Sequence, residues 1–289
     1  MSEWLNHEAA IRLGAFACAV VALALLQWHL PLRGDGRPAR RQLTNLGLVV
    51  IDTLLLRLAF PVLAVAWAVV QHNQGHGLFA RVDAPAWLEI LAAIVLLDLV
   101  IYWQHRLFHR VPVLWRLHRV HHADTAFDLT TGVRFHPLEI LVSMGIKLAA
   151  IRVLGADPAA VLLFELVLNL GSLWTHSDFA LPRAIDRRLR WLIVTPSMHR
   201  IHHSVLRNET DSNYGFHLSV WDRLFGSYTK EPQGSEASML IGLERFRSDR
   251  EQGLIALLLN PLRSERPASE TQKSSAADRS QRGTPPGNR

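Results

Sequence analysis

The chain has 289 residues, of which 49% are hydrophobic and 19% charged, with a formal net charge of +6. A mean hydropathy of +0.12 and a pI near 10.2 exclude an ordinary water-soluble domain and a disordered chain. Basic residues flank apolar runs, which fits a membrane facing anionic lipid and speaks against nucleic acid as a partner, and the lone Cys18 excludes an intrachain disulfide framework.

The first apolar run, about 9–32, is long enough to cross a bilayer. No basic segment precedes it and no small-residue cleavage site follows Leu26, so a cleaved signal peptide is not expected. Arg33, Arg37, Arg40 and Arg41 follow in a loop containing Gly and Pro. A second run, about 43–70, is interrupted by Asp52, Arg57 and Pro61 and is predicted to span as one element. A polar loop with one arginine, Arg81, leads to the third run, about 86–103. Positive-inside logic puts the 33–41 loop in the cytoplasm and both the N-terminus and the 71–85 loop outside. The third helix then delivers His105 to the cytoplasmic face.

Two shorter runs, 138–154 and 159–174, are joined by Gly155-Ala156-Asp157-Pro158. That turn chemistry predicts a helical hairpin that enters the membrane and returns, leaving His136 and His176 on one side. Residues 177–247 are polar and aromatic, punctuated by Pro182, Pro196 and Gly226, and are expected to form a helical cap. Residues 250–262 suit a short amphipathic helix on the membrane surface, and the tail from Arg263 has a disordered composition. The predicted fold class is all-α: an integral membrane bundle of about five hydrophobic helices, the last two a hairpin, under a cytoplasmic histidine-rich cap. Its expected parts are 1–85 (N-terminal membrane helices), 86–247 (catalytic) and 248–289 (amphipathic segment and tail). The expected location is an inner (cytoplasmic) membrane, with the site facing the cytoplasm.

The chemistry concentrates in YWQHRLFHRVPVLWRLHRVHH, from Tyr102 to His122. His105 and His109 are four apart and share a helix face; His118, His121 and His122 repeat that logic at i, i+3 and i+4. The same triplet returns as His199, His202 and His203, again reading His-Arg-aliphatic-His-His. Imidazole suits Fe, Cu, Zn and Ni, and one metal ion rarely uses more than four protein nitrogens, so eight clustered imidazoles point to two ions. His176, close to the cluster, is a further candidate ligand. His136, just before Pro137, suits a ligand and a structural hydrogen bonder equally. Asp98, two turns below His105, is expected to hold a ligand histidine by its other nitrogen, or else to contact a neighbouring helix. Glu139 is placed to support His136. Glu165 and Asn169 share a face with His176 and suit interhelical hydrogen bonds or the wall of a channel; Asn213 is grouped with them. His217 suits packing.

These motifs resemble the fatty acid hydroxylase/sterol desaturase superfamily of integral membrane di-iron enzymes, in a bacterial branch. The matching segments lie between Asp98 and Tyr228: DLVIYWQHRLFH, PVLWRLHRVHH, RFHPLE, WTHSDF, TPSMHRIHH and NYGFHLSVWDRLFGSY. The boxes HX3H, HX2HH and HX2HH agree in order and spacing, and Ser227 stands where relatives often carry threonine. Carried over, the resemblance implies that the iron ligands are His105, His109, His118, His121, His122, His199, His202 and His203, with His176 a further one. It implies two Fe, O2 as co-substrate, and electrons from a ferredoxin or cytochrome b5-like partner, ultimately from NAD(P)H. The implied reaction is oxidation of an unactivated C–H bond of a membrane lipid (sterol-like, fatty acyl or sphingolipid). Hydroxylation is favoured over desaturation because it needs one aligned carbon instead of two. The rival from another class is a histidine-rich metal transporter or metal-binding protein, which should hold its ligands near the bilayer midplane; an inactive lipid-binding homologue is a third reading.

Overall fold

The computed structural model describes residues 6–33, 38–60 and 62–264; Arg37 of the basic loop and the tail expected to be disordered lie outside them, apart from Arg263 and Ser264. Among the described residues there is no strand. The first part of the chain comprises α1 (Glu8–His29), α2 (Ala39–Ala59), α3 (Ala64–Asn73), α4 (Ala86–Arg110), α5 (Pro112–His122), α6 (Pro137–Leu154) and α7 (Pro158–Thr175). The cap and C-terminal part hold α8 (Arg183–Leu189), α9 (Pro196–His202), α10 (Arg207–Thr210), α11 (Val220–Leu224) and α12 (Leu254–Leu258).

Among the described residues four segments are long and apolar enough to cross a membrane: α1, Ala39–Asn73, α4 and α7. α6 carries Glu139, Lys147 and Arg152 and is not one of the four, so the five expected hydrophobic helices resolve into four spans and a charged companion. α1 buries Leu23 and Gln27 and leaves Leu13, Val21 and Leu25 exposed. An apolar surface of that extent is stable against lipid rather than water. The protein is an integral membrane protein.

The second apolar run is broken where the sequence carries Pro61, giving two helices instead of the single one predicted. Proline otherwise starts helices. Pro112, Pro137, Pro158 and Pro196 stand in the first turn of α5, α6, α7 and α9, where a missing N–H costs nothing. The joint between α6 and α7 has the predicted turn chemistry. Gly155 takes the left-handed conformation at φ 67, and Asp157 caps α7 by accepting from Ala159 N at 2.7 Å. A side chain at Gly155 would meet the His76 carbonyl at 2.0 Å, so the loop after α3 is seated on the hairpin turn.

The two arms of that hairpin are held together by α3 and α4, each of which packs on both. Small residues make this approach close: Ala64 and Ala68 of α3, Ala93 of α4 and Ala160 of α7 are all fully or nearly fully buried. α1 packs on α7 and α2 on α6. The C-terminal ends of α1, α4 and α7 and the N-terminal ends of α2 and α6 therefore meet the cap, while the α3–α4 loop and the Gly155 turn meet at the opposite end. In the 250–262 segment, α12 buries Leu257 against Leu48 and Val120, while Ile255, Leu259 and Leu262 are exposed.

Candidate metal centre

Each candidate ligand sits at a helix end on the cap side. α4 presents His105 and His109 in its last two turns, and the extended Val111 turns the chain into α5, which carries the first triplet. α9, capped by Thr195, carries His199 and His202, with His203 as its C-cap residue. His176 is the C-cap residue of α7. All nine are buried.

The nine divide into two groups whose potential ligand atoms lie within 4.8 Å of one another: His105, His109, His118, His122 and His202; and His121, His176, His199 and His203. Each triplet is shared. The i, i+4 pair of α5 joins the first group and its middle member His121 the second, whereas α9 gives its pair to the second and His202 to the first. One HX2HH motif on a short helix thus reaches two centres, each receiving residues from both triplets.

The hydrogen bonds fix which nitrogen is free. Carbonyl oxygens only accept, so His105, His202, His121 and His176 must donate from Nδ1 to the carbonyls of Tyr214 (2.8 Å), Ser212 (2.7 Å), Arg134 (3.1 Å) and Ser172 (2.7 Å). His118 Nδ1 is held by the Glu139 carboxylate at 2.7 Å. Burial first, and then the neighbouring imidazoles, hold His121, His122, His199 and His203 well below the ordinary imidazole range. Burial lowers His176 to about 4 and His202 to about 3, against the opposing effect of the Ser172 and Ser212 carbonyls. The rings are neutral near pH 7, and each fixed ring turns an Nε2 lone pair inward.

Those lone pairs face one another. Nε2 atoms of His105 and His118 are 3.1 Å apart, those of His202 and His105 3.0 Å, and those of His176 and His121 3.1 Å. With both Nδ1 atoms protonated, no hydrogen bond joins these pairs, and two opposed lone pairs repel. A cation removes the repulsion: nitrogens each ~2.1 Å from one ion and at a right angle to one another are ~3 Å apart. The donor set therefore fits metal ions, with imidazoles as ligands and backbone carbonyls and one carboxylate orienting them.

The other predicted residues have specific places. His136 lies outside both groups. Its Nδ1 accepts from Leu138 N at 3.2 Å and its Nε2 donates to the Leu258 carbonyl at 3.1 Å, so of its two open roles the geometry gives it the structural one. Glu139 supports His118, not His136. Asp98 does not reach a ligand histidine; its Oδ2 accepts from Leu218 N at 3.2 Å and Trp221 Nε1 at 2.8 Å. It thereby steadies the loop whose Tyr214 carbonyl receives His105. Asn213, at φ 49, clamps the same loop through Met198 and Thr229. Glu165 joins α7 to Lys147 at 2.6 Å and to Arg12 at 2.5 Å, Asn169 lines a cavity, and His217 packs against Gly171.

Several buried supports were not anticipated. Asp222 accepts from Tyr214 N and Gly215 N, both at 2.8 Å, and from Ser227 Oγ at 2.7 Å; burial raises its pKa to about 6, against the pull of those bonds. Ser227 needs its hydroxyl here, which threonine also has. Arg41 joins Asp124 and Asp128, and Arg134 stands 3.8 Å from Asp124. Burial works to raise Asp124, but Arg134 and Arg41 overcome it and hold the carboxyl below its usual range. The signal was present in the acidic residues following the first triplet, whereas Arg41 was counted as a loop charge.

A cavity of about 690 Å³ opens onto both groups. His105, His118, His121 and His199 form its inner end; Leu13 and Phe16 of α1, Leu56 of α2 and Leu168 of α7 form apolar wall.

A family model described as fatty acid hydroxylase matches residues 90–227. The chain is 29% identical over 184 residues to an ornithine lipid hydroxylase of Rhizobium tropici, covering 63% of this chain and 54% of that protein. It is 31% identical over 150 residues to an alkylglycerol monooxygenase of Xenopus tropicalis, covering 51% and 31%. Over 191 residues it is 27% identical to a putative Delta(7)-sterol-C5(6)-desaturase of Arabidopsis thaliana, covering 60% and 64%. The match thus spans less than two thirds of each of these relatives. No solved structure matches the chain.

Proposed function

We propose, from the premise that residues 90–227 belong to the fatty acid hydroxylase family, that this protein is a membrane-bound di-iron oxygenase acting on a C–H bond of a lipid. The observation that carries the reading is the pair of inward-facing imidazole groups at the end of a cavity between membrane helices. His105, His109, His118, His122 and His202 would hold one iron, and His121, His176, His199 and His203 the other. When bound, the irons supply the O2 chemistry that oxidises an unactivated carbon, with electrons from a ferredoxin or cytochrome b5-like donor fed by NAD(P)H.

The chain's residues do the positioning. Backbone carbonyls orient His105, His121, His176 and His202, and Glu139 orients His118, so that these five rings need not turn to bind an ion. Phe135 stacks on His121 with ring centroids 4.7 Å apart, and Phe108 and Phe216 line the same end of the cavity. This aromatic collar keeps water away while the apolar wall receives a hydrocarbon chain. The names of the relatives, an ornithine lipid hydroxylase, an alkylglycerol monooxygenase and a sterol desaturase, support a lipid substrate. A transporter reading is disfavoured because the imidazoles lie at helix ends under the cap. The basic 33–41 loop on the cap side supports a site facing the cytoplasm. Hydroxylation is the favoured outcome, since one aligned carbon suffices.

The test is iron-replete purification with elemental analysis, followed by reaction with the redox partner under isotope-labelled O2 and mass spectrometry of the lipids. Two irons per chain and a product with one labelled oxygen are expected. One iron or none overturns the di-iron assignment; an unlabelled product two hydrogens lighter replaces hydroxylation by desaturation. Reporter fusions after Arg41 and after His76 should report opposite sides of the membrane.

A further inference from the structure

The buried face of α2 is one stripe: Arg41, Asn45, Leu48 and Asp52, at helical spacings of four, three and four. Its first three members are accounted for. Arg41 binds Asp124 and Asp128, Asn45 binds Thr130 and Arg134, and Leu48 packs on Val120 and Leu257. Asp52 is the exception. It is 7% exposed and lines the cavity, and its Oδ1 is buried without a hydrogen-bond partner. Across the cavity wall, Glu139 uses Oε1 on His118, while its Oε2 is likewise buried and unpartnered. Among the described residues no ion pair joins Asp52 to a cation.

Two cations also line the cavity, but Arg12 is joined to Glu8 and Glu165, and among the described residues no ion pair joins Arg57 to Asp52 or Glu139. Two buried carboxyl oxygens without a partner are costly inside a membrane, and the cost is retained where a ligand meets it. The missing complement is a donor with positive charge. A hydroxyl offers one hydrogen and no charge; an ammonium offers three hydrogens and balances a carboxylate. Asp52 lies one helical turn, roughly 6 Å along the axis, beyond Leu48 and its contact with the histidine helix. A group held there stands beside the imidazole groups.

We infer that Asp52 is a specificity-determining residue that, with the free oxygen of Glu139, receives a protonated amine on the lipid substrate. The amine-bearing end of the substrate is then the end beside the histidines, and the hydrocarbon chain runs along Leu13, Phe16 and Leu56. The inference rests on the reading of the cavity as the substrate channel, but its test is a binding measurement that requires no turnover.

Purified full-length protein in detergent is titrated with hexadecylamine and with hexadecanol, which share a chain and differ in the head. The amine is expected to bind about ten-fold or more tightly than the alcohol, as a charged hydrogen bond in a buried site requires. Asp52→Asn should remove that preference and leave alcohol binding within about two-fold of wild type; Asp52→Glu should retain it. Equal binding of the two probes by the wild type, or an undiminished preference in Asp52→Asn, overturns the inference. The wild-type comparison stands even if a variant fails to accumulate. Iron content and lipid oxidation are measured on the same preparation: their absence overturns the oxygenase reading alone, and lack of amine preference in an iron-loaded, active enzyme overturns the amine site alone.

Discussion

Replacing Arg41 by leucine should destabilise the protein far more than the loss of a loop charge would. Its guanidinium donates to both oxygens of Asp124, at 2.5 and 2.7 Å, and to Asp128 at 2.6 Å. Asp124 is 0% and Asp128 1% exposed. Without Arg41, Asp124 keeps Arg134 at 3.8 Å, whereas Asp128 is left to the neutral donors of Thr130 and Gln42. Removing one partner of a buried pair typically costs about 3–5 kcal/mol, because the other charge is left uncompensated. For a chain of this size that corresponds to a fall in Tm of roughly 6–20 °C. Thermal unfolding of metal-loaded protein in detergent, followed by tryptophan fluorescence at neutral pH, measures it. Arg41→Lys keeps the charge but loses the fork that spans both carboxylates, so it should fall between leucine and wild type. A Tm for Arg41→Leu within about 2 °C of wild type would refute the reasoning.

His202→Ala and His176→Ala each remove an imidazole from a different group, and elemental analysis should find iron falling toward one per chain in each; two irons retained in either variant would contradict the grouping. The pH dependence of the metal-free protein follows from histidines whose folded pKa lies below the unfolded one. Their stabilising contribution is present above the unfolded value near 6.5 and is lost as pH falls toward about 4 for His176 and about 3 for His202. Metal-free Tm should therefore decline on acidification from about pH 6.5, with ion release in loaded protein following the same direction; a flat Tm across that window contradicts it. Gly155→Ala meets both a positive φ and the His76 carbonyl at 2.0 Å, and should cost about 1–3 kcal/mol or more, read as a lower Tm with unchanged iron per folded chain.

The helices and the clustering of the nine histidines were legible because both are written in local periods. The apolar runs gave α1, α4 and α7, and Gly155-Ala156-Asp157-Pro158 gave the turn between α6 and α7, since each residue there acts on its own backbone. The break between α2 and α3 needed greater weight on Pro61. The supports of the site were harder to read. Asp98 shares a face with His105, yet its carboxylate goes to Leu218 and Trp221, which are 120 and 123 residues away. Glu139 was assigned to nearby His136 and binds His118 instead. Four of the clustered rings are oriented by backbone carbonyls, and a carbonyl has no residue type to recognise.

The division of the histidines also explains why the triplets read HX2HH rather than HX3H. An HX3H pair reaches one point, because its two rings stand above one another on a helix. Adding a residue at i+3 places a third ring about 60° around the axis from the first and about 100° from the last, near enough to share a neighbourhood but turned toward a different centre. α5 and α9 each do this, and they do it reciprocally, so neither centre can be assembled from one triplet alone. α9 has seven residues, too few for a helix stable on its own, and its His202 opposes the neutral lone pair of His105 at 3.0 Å. Ions that relieve this opposition bind the folded arrangement in preference to the unfolded chain, and so stabilise α9 and the cap around it. Because each triplet serves both centres, an ion that orders a triplet at one centre also positions its remaining histidine for the other. On the di-iron reading, the spacing would couple two sites through two short helices as well as supply their ligands.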